Sequence, residues 1–166
     1  MPRSVQEDYL QNFRFRVFEV AGGADVFKNE EPVAGFNNIT MPGVTLEVGE
    51  HRTGKDQWTK KQPGVPTVED CTMTRGVLLG DTTFYDWMKK YFERKPFRTD
   101  LQVRQYNQEG NGFDPNDKFA REMTLRNCFP TSIKLMGDLD ATASDVNIQE
   151  ITCSVEWPEL EAPATI

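Results

Sequence analysis

Histidine is almost missing from this 166-residue chain, with His51 its single copy. Hydrolytic triads, zinc sites and imidazole acid–base catalysis all draw on that side chain, so these chemistries have little to stand on. His51 lies between Glu50 and Arg52 on an expected strand and reads as a plain polar residue. Serine nucleophiles fare no better, because Ser4, Ser132, Ser144 and Ser154 sit in no GxSxG elbow. Cysteine is scarce and odd in number: Cys71, Cys128 and Cys153 form no CxxC pair. That pattern excludes a disulfide framework and suits reduced thiols in the core of a cytosolic protein. No stretch approaches the roughly 18 apolar residues of a membrane span. Residues 1–9 lack the apolar core of a secretory signal, so general export is not expected. Positive charge is in deficit, with 19 Lys and Arg against 26 Asp and Glu and a net charge of -7, which argues against nucleic-acid binding through bulk basic charge. The deficit is local: residues 1–107 hold 15 acidic and 15 basic groups, residues 108–166 hold 11 and 4.

What is there suits one globular domain. The chain is 37% hydrophobic, 11% aromatic and 27% charged, and no repeat, low-complexity block or linker divides it. We read a single domain over 1–166 with its core at about 10–157, a flexible N-terminus at 1–9 and a loose tail at 158–166. Alternation marks strands over 12–20, where Phe13, Phe15 and Val17 oppose Arg14 and Arg16, and over 44–52, with a short apolar run broken by Gly35 at 33–39 between them. Residues 53–67, rich in Gly, Lys, Gln and Pro, read as a long connection whose one large apolar residue is Trp58. Strands follow at 68–75, 100–107, 119–129 and 147–157, the middle two joined as a hairpin through the turn formers of 109–117. One helix is expected, starting at Asp81 as N-cap and ending at Pro96, with Phe84, Trp87, Met88 and Tyr91 on one stripe. Six or seven strands and one helix predict a mainly β fold of α+β type, a sandwich or barrel of packed sheets with one flanking helix.

The remaining motifs are weak. Glu47 and Glu50, three apart on a strand, point to opposite faces and make no acid–base pair. Asp138 to Asp145 imitates a calcium loop but has Ala143 for the turn glycine and Gln149 for the bidentate glutamate, so a stabilised turn is the better reading. The glycines are too scattered to cradle phosphate, and the basic run from Lys89 to Arg98 reads as a solvated helix end. No catalytic, metal or cofactor site emerges.

Several segments in order carry a resemblance. They are Val33-Ala-Gly-Phe36, Glu47 through Gly54, Lys61-Gln-Pro-Gly64, Thr72-Met-Thr-Arg-Gly76, Asp86-Trp87, Asn127-Cys-Phe-Pro-Thr-Ser132, and Asp138 through Ile151. Together, over roughly 10–157, they resemble the tail tube proteins of contractile phages and of related extracellular contractile injection systems. The resemblance implies two packed β sheets with a flanking helix whose stripe covers the sandwich. It further implies a hexameric ring whose inner sheets form a continuous barrel, stacked into a rigid hollow tube inside a sheath.

On this resemblance the 53–67 segment is the extended loop that reaches the adjacent ring, with Trp58, Lys60, Lys61 and Pro63 as its contact residues. The implied partners are further copies of the chain, a sheath protein, baseplate hub and tail terminator proteins, and a cargo of DNA or protein toxin. No cofactor, catalysis or sequence-specific nucleic-acid binding is implied. The chain would be made in a host cytoplasm and end in a virion tail or extracellular particle. Glu150 and Glu156, read on the polar face of the last strand, would face the lumen or the sheath. The sequence departs from the common pattern at an acidic insertion around 22–31 and at the Gly- and Asn-rich tip of 110–117. The ring protein of type VI secretion is a related alternative, and a monomeric β-barrel binding module for a small ligand is one of another class.

Overall fold

The computed structural model describes residues 10–20, 22–24, 26–27, 35–106 and 118–163. Nine strands and one helix follow in the order β1 (Phe15–Glu19), β2 (Phe36–Thr40), β3 (Val44–His51), β4 (Lys60–Val68), β5 (Cys71–Gly76), α1 (Thr83–Phe92), β6 (Thr99–Gln105), β7 (Arg121–Lys134), β8 (Ile148–Ser154) and β9 (Trp157–Glu161). Every pairing is antiparallel. The fourteen-residue β7 belongs to two sheets. Its first half pairs with β6 on one side and β9 on the other, giving sheet I in the order β1-β6-β7-β9. Its second half pairs with β8, giving sheet II in the order β7-β8-β5-β2. The mainly β architecture with one flanking helix agrees with the sequence reading.

The bend between the sheets is built from side chains that replace ladder bonds. Asn127 takes φ 53°, a left-handed conformation that asparagine tolerates better than most residues. Its N–H donates to Asp100 Oδ1 at 2.8 Å and its side-chain amide to Glu156 at 2.7 Å. Arg126 beside it bonds Asp100 and Glu159, each at 2.9 Å. Those two carboxylates raise the guanidinium pKa above its ordinary value.

Between the sheets lies a core in which Val17, Phe27, Met73, Leu101, Leu125 and Ile151 are all buried to 1% exposure or less. The three cysteines lie there too, unpaired and buried. Helix α1 closes one side. Phe84 and Trp87 are fully buried, and the Trp87 indole N–H donates to Phe97 O at 2.7 Å. Met88 is half-buried. Tyr91 departs from the expected stripe: at 58% exposure it lies in the helix's last turn and packs edge-on against Phe92 and Phe97. Thr82, not Asp81, takes the N-cap position. Asp81 instead bonds buried Arg75 at 2.7 Å, accepts the Gln149 amide at 2.8 Å and receives the Thr83 N–H at 3.2 Å. Burial pushes its carboxyl pKa up, but the Thr83 N–H, the Arg75 charge and the Gln149 amide outweigh that and hold it below the ordinary value.

Three further expectations are corrected. The expected 53–67 connection is a loop only over 53–59: Lys60–Val68 is a strand that pairs with β3 in a separate two-stranded sheet. Its prolines hid it, and they are tolerated because β4 pairs on one side only, where a missing N–H leaves no ladder bond unmade. The expected 147–157 strand breaks at Val155 and Glu156, so Trp157 begins β9 and is half exposed instead of facing the core with Ile151 and Cys153. Residues 158–161, expected in the tail, complete β9 against β7. Within the proposed insertion, Ala24, Val26 and Phe27 enter the core, with the Glu19 carboxylate accepting the Val26 and Phe27 N–H groups at 2.9 Å each. The rest of that insertion and the 110–117 tip lie outside the described residues.

Candidate assembly surfaces

The β3–β4 hairpin leaves the body where β2 ends and β5 begins. A Gly43–Glu69 backbone bond of 2.9 Å continues the ladder across its base. Eight residues of β3 reach about 26 Å at the usual strand rise. Along that length every residue but Val68 is exposed. One face of the hairpin is apolar: Val44, Leu46 and Val48 pair with Val68, Pro66 and Pro63. Val68, at the base, packs against the core, so this face continues the core-facing side of sheet II.

A bulge opposite Glu47 interrupts the ladder. There a Cβ on Gly64 would lie 3.0 Å from the Glu47 carbonyl oxygen, which explains a glycine at that point. The hairpin tip is ordered. Asp56 accepts the Thr53 hydroxyl at 2.7 Å and its N–H at 3.1 Å, and these bonds lower its carboxyl pKa. Arg52 donates to the Asp56 carbonyl. Trp58 stands beside this turn at 76% exposure, while Lys60, Lys61 and Pro63 lie on β4, with Lys61 3.9 Å from Glu50.

The outer face of sheet II carries two polar rows across all four strands. One is Thr40, Thr72, Thr152 and Ser132; the other is Asn38, Thr74, Glu150 and Lys134. Glu150 therefore lies directly opposite Lys134. Glu156 is elsewhere, at the bend, bonded to Asn127 and 3.8 Å from Arg98. The two glutamates do not share a face. The corresponding face of sheet I is covered at its centre, where Glu122 and Thr124 are only 6% exposed and Arg104 binds Glu122 while packing on the Phe18 and Phe119 rings, and open at β9, where Glu159 and Glu161 are exposed. Among the described residues, β2 and the second half of β7 each pair on one side only, so sheet II ends in two open edges. Beside the β2 edge a cleft of about 930 Å³ opens between the sheets, lined by Phe13, Phe15, Phe36, Ile39, Met123 and Leu160 among others.

The end of sheet II opposite the hairpin is formed by residues 77–82 and 135–147. These loops meet through a Val77 N–H bond to Asn147 O at 2.9 Å. The calcium-like segment lies here, and its Asp140 is occupied with the Thr142 N–H and hydroxyl, which pull its pKa down. No cluster of three or more potential metal ligands occurs among the described residues. None of the described helices is long and apolar enough to cross a membrane. The hairpin pairing and the open edges are what sequence reading missed; only the apolar alternation at Val44, Leu46 and Val48 signalled an interface in place of a loop.

The fold recurs in known assemblies. A chain of the extended sheath–tube complex of the extracellular contractile injection system PVC superposes with a TM-score of 0.78 at 24% identity, covering 96% of this chain and 95% of the other. A chain of the anti-feeding prophage tube-terminating cap gives 0.76 at 20% identity, with 95% and 93% covered. An Hcp protein is more distant, at 0.51 and 11% identity over 89% and 96%. A search of curated protein sequences returned no significant match. The family described as T4-like virus tail tube protein gp19 matches residues 11–157, nearly the whole chain, and the chain belongs to that family.

Proposed function

We propose that this tail tube subunit closes into a hexameric ring by joining the open edges of sheet II, with the outer face of that sheet lining the channel. One observation carries the reading: among the described residues both edges of sheet II are unpaired and its outer face is an exposed polar surface, whereas Glu122 and Thr124 on the matching face of sheet I are buried. Unpaired edges invite strand addition, and ring closure pairs each with a neighbour. A copy seated on the β2 edge would also cover the mouth of the cleft between the sheets.

The wall so formed is rich in hydroxyls, and its Glu150 is opposed by Lys134, so it carries little net charge and offers cargo no strong binding site. The projecting hairpin then makes the contact between rings, with Trp58 as anchor and Lys60, Lys61 and Pro63 around it; exposed aromatics of this kind dominate interface energetics. A sheath, a terminator and a baseplate hub are the outer and end partners, and DNA or a protein passes through the lumen. The protein acts by assembly, without a catalytic group or cofactor. It is made in a cytoplasm and works in a tail or an extracellular particle, as one domain over 1–166.

Electron microscopy of the purified protein tests this. Closed six-fold rings or stacked tubes are expected. A monomer at every concentration defeats the reading and favours the ligand-binding alternative.

A further inference from the structure

We propose that the aromatic end of helix α1 in one subunit seats in the β2-edge cleft of a second copy, a lateral lock outside the channel wall with Phe92 as its key. The inference rests on the ring reading above and names the side chains that hold neighbouring subunits together.

Helix α1 and sheet II have matching spans. Ten helical residues rise about 15 Å, and the four strands from β2 to β7 cover about 14 Å. The helix crosses that distance on the core-facing side of the sheet, with Phe84 and Trp87 buried. Near its start, Phe84 stacks on Phe36 of β2, ring centres 6.1 Å apart. At its end a series of edge-to-face contacts runs from Phe92 to Tyr91, Phe97 and finally Phe129 of β7, at 5.5, 5.3 and 6.0 Å. Phe92 therefore emerges by the β7 edge at 74% exposure, beside the half-exposed Tyr91.

The opposite edge supplies the recess. The cleft of about 930 Å³ follows β2 from Phe36 to Met41 and takes in Phe13 and Leu160, exposed at 69% and 53%. Asn38 and Gln105 also line it, amides that suit a tyrosine hydroxyl. The levels match as well. Phe129 pairs with Ser154, next to the Cys153 that lies opposite Cys71 at the hairpin end, and the cleft reaches Met41 at that same end. Strand β2 runs toward the hairpin and the second half of β7 runs away from it, so a rotation that joins the two edges pairs them antiparallel, as in every other ladder of the fold. That union brings the aromatic end of one subunit to the cleft of the next. Each aromatic ring covered there withdraws about 150–250 Å² from water. Because key and recess differ and lie on opposite edges, the contact repeats around a ring.

Cysteine pairs test the contact, since the three native thiols are buried and do not compete. Phe92→Cys combined with Leu160→Cys, and separately with Phe13→Cys, is treated with a short bismaleimide. A ladder of covalent products up to the hexamer is expected on denaturing gels, whereas each single variant stays monomeric. Phe92→Glu, at an exposed side chain, is expected to keep the circular-dichroism melt of the unassembled protein and to raise the concentration needed for rings about tenfold. The lock is overturned if protein that forms rings gives no ladder from either pair, which assigns the cleft another occupant, or if Phe92→Glu closes rings at the wild-type concentration. A wild-type protein that forms no rings overturns the ring reading and the lock with it.

Discussion

Replacing Asp81 by Ala tests how the helix is fastened to sheet II. The Arg75 side chain is 5% exposed and Asp81 11%, and their charged atoms lie 2.7 Å apart. The guanidinium also packs on the Phe84 ring, 4.4 Å from its centre. Removing one partner of a buried pair costs about 3–5 kcal/mol, because the other charge stays buried. Losing the bond to the Thr83 N–H at the helix start adds about 1 kcal/mol. The two losses share one side chain and do not add fully, so about 4 kcal/mol is expected. With a urea slope of about 2 kcal/mol per molar, the unfolding midpoint falls by about 2 M. Far-UV circular dichroism at fixed protein concentration reads this, since assembly otherwise shifts the midpoint.

The sign with pH follows from the lowered carboxyl pKa. The stabilisation is complete above the unfolded value of 3.8 and disappears as pH falls through the lower folded value. The gap between wild type and Asp81→Ala therefore narrows on acidification. Asp81→Asn, which keeps an acceptor but loses the charge, falls between the two at pH 7. A gap under about 1 kcal/mol at pH 7, or one that stays constant into strong acid, refutes the reasoning, since a buried charge pair requires both the larger cost and its loss in acid.

Trp58→Ala is expected to leave stability within about 0.5 kcal/mol and to shorten tubes seen by microscopy; an unfolded variant would place Trp58 in the core. The thiols should be silent to Ellman's reagent at pH 8 until urea is added, because burial pushes the pKa of Cys71 and Cys128 up to about 12 and that of Cys153 well above its ordinary value. A prompt reaction in the native protein contradicts that burial. Phe84→Ala should cost about 3–5 kcal/mol, whereas Tyr91→Ala, at 58% exposure, should cost under about 1 kcal/mol; urea titration of both variants checks the contrast.

The parts of the fold legible in sequence were those where one face meets the core and the other meets water. Cys71, Met73 and Arg75 alternate with Thr72 and Thr74, and burial follows the same period. Phe84 and Trp87 behaved likewise. Tyr91 did not, because periodicity records which side of a helix is apolar and not how far the neighbouring sheet extends. The hairpin was illegible for a related reason. Pro63, Gly64 and Pro66 have poor strand propensity, and only a two-stranded arm with a free edge accepts them. Glu150 and Glu156 were placed together by counting in twos, which fails where Val155 and Glu156 leave the ladder to turn the chain. Of the assembly surfaces, Trp58 could be singled out by its isolation among polar residues; the sheet edges could not, since an edge is a property of pairing and not of composition.

The acidic excess after residue 107 takes its meaning from these placements. Glu122 is bonded to Arg104, Glu159 to Arg126 and Glu156 to Asn127, while Glu150 faces Lys134 across the polar sheet. Among the described residues, of Asp138, Asp140 and Asp145 only Asp138 forms an ion pair, with Lys134 at 3.6 Å, and its own side chain is fully exposed. Of the eleven acidic groups after residue 107, Glu109, Asp114 and Asp117 lie outside the described residues, and Asp138, Asp140 and Asp145 gather in the loop at the end of sheet II opposite the hairpin, away from the polar rows of its outer face.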